Sequence, residues 1–165
     1  MTSAIHLQMA QLHIRLRQLG EAEGELALAR RDAEEIQDLR SIIKVGQLLG
    51  LVAGERRDYD QAVTHLEKAA MDARSLGDLV EMGACFHRIG VIETRRVQFT
   101  RAAEAFLHAL DLLDESSGSP HDAPPAEIQA CRQRIGEEIR ELTRLLGPEV
   151  FARILRSLGR KPAGE

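Results

Sequence analysis

At 165 residues, with 44% apolar and 29% charged composition, the chain is long enough for one compact domain or about four stacked helical hairpins around a real core. Its net charge of -4 supplies no general attraction to nucleic acid or to anionic membrane, both of which draw on a basic surface field. Aromatics are only 3%, Trp is absent, and Ala, Leu, Glu and Arg are abundant, so helix propensity is high throughout and the expected fold class is all-α.

The opening MTSAIHLQMAQLHIRL is amphipathic and lacks the basic start, apolar centre and small-residue cleavage site of a signal peptide. No 18-residue apolar run follows, so a cytoplasmic chain with no membrane or nucleic-acid partner is expected. Nineteen Arg against three Lys fits a GC-rich bacterial coding background.

A first helix is predicted over 3–17, carrying Ile5, Met9, Ala10 and Leu12 at three- and four-residue spacings that share one face. A second follows over 19–36 with Leu19, Ala22, Leu26, Ala29 and Ala33. Shifting the sequence by forty residues reproduces this pair twice. Val45, Leu49-Gly50 and Val52 define a helix over 39–54, and Tyr59, Ala62, Leu66, Ala69 and Ala73 one over 59–76. Cys85, Ile89-Gly90 and Ile92 define 79–95, and Phe99, Ala102, Phe106, Ala109 and Leu113 define 99–115. Small residues mark close backbone approach, with Ala10, Gly50 and Gly90 expected to face Ala22, Ala62 and Ala102.

Asp58 with Gln61, and Asp78 with Glu81, have the spacing of capping boxes, while Gly77 suits the turn between helices; Gln98 is a poorer cap. SSGSPHDAPP cannot continue a helix, giving a loop over 116–125. Helical spacing returns through Ile128, Cys131, Ile135, Ile139, Leu142 and Leu146, and Gly147-Pro148 separates this helix from a last one. Residues 126–158 are expected to cap the third hairpin, with a frayed tail over 159–165.

Cys85 and Cys131 form no C-x-x-C pair and read as small core residues. The six His make no HExxH pair or Cys/His cluster; His6 and His13, seven apart on one face, read as surface residues, and no metal or cofactor is expected. With no phosphate-cradling glycine loop and no nucleophile–base set, a non-catalytic chain is expected.

Leu49-Gly50, Ala62, Leu66 and Ala69, and Ile89-Gly90, Ala102, Phe106 and Ala109, resemble the tetratricopeptide repeat: an apolar–small pair in one helix, then Ala, a large apolar residue and a further Ala in the next. The resemblance covers residues 1–115 as three repeats, about 3–38, 39–78 and 79–115. It implies a right-handed superhelical solenoid. The forty-residue period and the Leu76-Gly77-Asp78 junction are similar to repeats of kinesin light chains, cell-polarity adaptors and bacterial sensor proteins. His6, Gly46 and Phe86 stand where a bulky aromatic is usual, and the terminal Pro is missing.

In that family the first helix of each repeat lines a concave groove. Transferred by column, the groove residues are Ala4, Leu7, Gln11, Ile14 and Arg15; Lys44, Gln47, Leu51 and Glu55; and Ala84, His87, Val91, Thr94 and Arg95. An apolar strip bordered by cations implies a protein or peptide partner with apolar anchors and acidic residues, hence a scaffold or adaptor. The Lys and Asn of repeats that clamp chaperone tails are missing. Alternatives are a ligand-sensing module of a larger bacterial signalling protein and a secretion-type chaperone. A homo-oligomer is a further alternative, because the first repeat is expected to have no preceding polar cap over Ile5, Met9 or Leu12.

Overall fold

The computed structural model describes residues 2–116 and 125–161. Among these residues there are eight α-helices and no strand. They are α1 (Ser3–Arg15), α2 (Leu19–Glu35), α3 (Leu39–Glu55), α4 (Tyr59–Ser75), α5 (Leu79–Arg95), α6 (Phe99–Ser116), α7 (Pro125–Leu146) and α8 (Pro148–Ser157). The expected loop shrinks at both ends, since Ser116 closes α6 and Pro125 opens α7; residues 117–124, and 162–165 of the expected tail, lie outside the described residues. No helix among the described residues is long and apolar enough to cross a membrane.

The forty-residue period resolves into a twenty-residue one. Each of α2 to α5 has 17 residues and each is followed by a three-residue link. In every link the third residue donates its amide to the carbonyl five residues back: Gln18 to His13, Asp38 to Ala33, Asp58 to Ala53, Asp78 to Ala73 and Gln98 to Glu93, at 2.8–3.0 Å. The middle residue is left-handed, and these paired bonds close each helix as a Schellman motif. The side chains of Asp38, Asp58 and Asp78 then accept from the amides of Ser41, Gln61 and Glu81, starting the next helix. Only this half of the expected capping box forms at Asp78, because the Glu81 carboxylate turns away to α3.

Only Gly77 among the five left-handed residues is suited to its conformation; Arg17, Gln37, Arg57 and Val97 also adopt positive φ, with Val97 at 65°. A β-branched side chain there crowds the following carbonyl. Val97→Gly is therefore expected to raise the unfolding free energy by about 0.5–1 kcal/mol, the relief of strain exceeding the added chain entropy. Urea unfolding of the two proteins checks it, and an unchanged or lower midpoint would contradict it.

The most extensive packing is within the pairs α1–α2, α3–α4 and α5–α6, followed by α4–α5, α2–α3 and α6–α7. First helices also meet one another, α1 against α3 and α5 against α7. Ala22, Ala62 and Ala102 are fully buried, as are Leu26, Leu66 and Phe106 four residues on. The small residues of the first helices oppose these larger side chains as well as the alanines. A methyl group on Gly50 would lie 2.7 Å from Leu66 Cγ and 3.2 Å from the Ala62 carbonyl, and one on Gly90 would lie 2.5 Å from the Phe106 ring.

Ile128, Ile135 and Leu142 recur every seven residues along α7 and join Phe151 of α8 over Phe106, Ala109 and Leu113. Thus α7 and α8 cover the apolar side of α6. Gly147, at φ 82°, makes the turn between them. Arg160, beyond α8, is tied to Asp111 of α6, so the start of the tail is docked. At the other end Ile5, Met9 and Leu12 of α1 are 39–49% exposed, whereas Val45, Val52, Cys85, Ile89 and Ile92, forty and eighty residues on, are buried by the preceding hairpin.

Candidate binding face on the first helices

The residues transferred by column divide into those the fold leaves open and those it consumes. Leu7 and Ile14 of α1 are half-buried against the core of the first two hairpins, and Gln11 and Arg15 are exposed beside them. Leu51 of α3 and Val91 of α5 line one small hollow of about 90 Å³, with Gly50, Leu66 and Ile92 beneath and Arg88 and Arg95 at its edge. Lys44, Ala84 and His87 line a second cleft, of about 320 Å³, whose far wall is Cys131, Arg134 and Ile135 of α7.

Gln47 lines the same cleft from its inner side. It is 2% exposed, and its amide nitrogen donates to Glu81 Oε2 at 2.7 Å and lies 3.4 Å from Cys85 Sγ. A residue three positions from Lys44 is drawn inward because α5 packs on that side of α3 and supplies the acceptor. Lys44 itself meets Glu81 Oε1 at 2.5 Å. Burial pushes the Glu81 carboxyl up, but its bonds to Lys44 and Gln47 outweigh this and hold it below the usual carboxylate range. Glu55 is likewise committed: Arg17 reaches it at 2.6 Å and Arg95 at 3.2 Å. The Thr94 hydroxyl donates to the Gly90 carbonyl at 2.9 Å within its own helix.

Arg88 borders both hollows and forms no ion pair with a described residue, yet its column gave no hint of this, since Gln8 and Leu48 are its counterparts. Only its spacing to Val91 and Arg95, three and seven residues on, could have shown it on their face. Arg134 enters from α7, which its sequence suggested only as a cap. These two cations stand by the His87 imidazole, whose Nε2 is buried without a hydrogen-bond partner. Burial first, then Arg134 and Arg88, lower its pKa to about 4, so the ring is neutral at pH 7.

His6 is corrected: it is 5% exposed, with Nδ1 2.6 Å from Glu25 and Nε2 3.8 Å from Asp32, and it joins α1 to α2. Burial pushes the Cys85 thiol up, which leaves it protonated. Among the described residues no group of three or more His, Cys, Asp or Glu is arranged to hold a metal ion. No family model and no curated protein matches the chain.

Proposed function

We propose that the chain is a tetratricopeptide-type scaffold, a right-handed superhelical solenoid that holds an extended or helical protein segment on the face of α1, α3, α5 and α7. The twenty-residue helix spacing, the pairing of consecutive helices and the contacts among alternate helices support the architecture. One observation carries the binding reading: the apolar hollow between Leu51 and Val91 is bordered by Arg88, which forms no ion pair with a described residue. Such an arrangement suits an apolar anchor next to a carboxylate.

A peptide array probed with labelled protein tests it. The wild-type chain should retain peptides in which a large apolar residue neighbours Asp or Glu, less strongly at high salt. The double variant Leu51→Glu, Arg88→Glu should lose about tenfold or more of that signal while keeping the helical circular-dichroism spectrum. Retention of the same peptides by the variant, or enrichment of basic peptides, would reject the site. Arg88 is preferable to Arg95 for this purpose because changing Arg95 would also release Glu55.

The small-effector reading draws on the 320 Å³ cleft between α5 and α7, which is large enough for a small molecule and is lined by Arg88 and Arg134, by the paired Lys44 and Glu81, and by Glu127. It shares the preference for an anion with the scaffold reading.

A further inference from the structure

The opposite face of α5 carries a feature that the repeat does not require. Phe86, Ile89 and Glu93 point away from Arg88 and Val91 and form the floor of a cleft of about 560 Å³ between α4 and α6. Glu93 is 4% exposed, and its Oε2 has no hydrogen-bond partner. An oxygen buried in this way loses hydration with no hydrogen bond in return. Packing does not call for it: forty residues earlier the same column is Ala53, equally buried in an apolar cluster.

The charges around Glu93 define what would satisfy it. Asp60 and Arg96, on the rim, pair with each other at 2.8 Å. That leaves the carboxylates of Glu67, Glu93 and Glu104 facing one further guanidinium, Arg101, and the His108 imidazole, which lies against the Phe86 ring. Neither Glu67 nor Glu104 pairs with a described residue, and the walls between the charges are apolar, from Val63, Ile89 and Ala105. We propose that this cleft receives an arginine side chain from a partner protein, its guanidinium on Glu93 and its methylene stem along Ile89 and Val63. A guanidinium suits the site better than an ammonium because its planar fork engages both oxygens of one carboxylate and sheds its hydration more readily.

N-acetylargininamide is the probe, and N-acetylcitrullinamide, its neutral isostere, the control; amide chemical shifts of the full chain are followed during titration. The arginine probe should give saturable shifts confined to α4, α5 and α6 around Thr64, Glu93 and Ala105, and citrulline none. Glu93→Gln should weaken binding about tenfold or more, as expected for a lost charged hydrogen-bonding partner. Glu35→Gln, at an exposed carboxylate of α2, should leave it unchanged. The melting temperature of Glu93→Gln should equal or exceed that of the wild type, because the substitution removes a buried charge without a partner. Equal binding by Glu93→Gln, equal binding of citrulline, or no saturable shift would overturn the proposal. A lower melting temperature for Glu93→Gln would overturn it too, by showing that the carboxylate has a structural partner within the chain. The array test uses Leu51 of α3 and Arg88 on the other face of α5, so either reading can fail alone.

Discussion

Phe106→Ala is expected to lower the unfolding free energy by about 3–5 kcal/mol, the usual cost of removing a fully buried aromatic ring and leaving a cavity. Phe106 has no exposed surface and joins α5, α6, α7 and α8 in one cluster, so neighbouring helices cannot all close on the space. Gly90→Ala attacks the same contact from the other side. Its new methyl would lie 2.5–2.9 Å from three ring atoms, and the packed ring has nowhere to turn. Overpacking costs about 1–3 kcal/mol, which exceeds the roughly 1 kcal/mol gained by replacing Gly with Ala in a helix. The two substitutions should not add. In the Phe106→Ala background the methyl enters the cavity, and Gly90→Ala should become neutral or stabilising, giving a coupling of about 1–3 kcal/mol in a double-mutant cycle measured by urea unfolding. Additive effects would mean that Gly90 and Phe106 do not share a packing contact.

That contact was half legible. Gly90 and Phe106 occupy corresponding columns to Gly50 and Leu66, so period and residue size announced a close approach, and the helices fell within a residue or two of the expected bounds. What periodicity could not supply was which large side chain meets which glycine, because that depends on how two helices cross. The helix ends show the same division. Asp58 and Asp78 were readable as caps from local chemistry, while the left-handed turns at Arg17, Gln37, Arg57 and Val97 were not, since none uses the glycine that normally marks them. The candidate face was least legible. Column transfer places residues on a side of a helix, but Gln47 also meets Glu81 of α5, and Glu55 meets Arg17 and Arg95, so both are held by neighbouring repeats. Glu81 reads locally as a capping partner and is taken instead by Lys44 and Gln47 across a repeat boundary. Arg88 and Arg134 depart from their columns or belong to the cap, so a search for recurrence passes over them.

Lowering the pH from 7 to 4.5 is expected to cost the wild-type chain more stability than His87→Gln. The sign follows from proton binding. The His87 pKa falls from 6.5 to about 4 on folding, mainly through burial and then through Arg134 and Arg88. Between those values the unfolded chain holds the proton and the folded chain does not, so the contribution is fully present above pH 6.5 and is lost as pH falls toward 4. The ring partly faces the cleft, and solvent screening reduces the difference between wild type and variant to about 1–2 kcal/mol. The carboxylates and His65 titrate in both proteins, so the comparison isolates His87. Parallel urea-unfolding curves at the two pH values would show that water reaches the ring. The same linkage gives a signature for an acidic ligand. A carboxylate seated between Arg88 and Arg134 would offset the two cations that disfavour imidazolium and raise the His87 pKa. Binding near pH 5 should then take up a fraction of a proton, seen calorimetrically as a dependence of the binding heat on the ionisation enthalpy of the buffer. A ligand anchored only over Leu51 and Val91 would show no such dependence, because it leaves the surroundings of His87 unchanged.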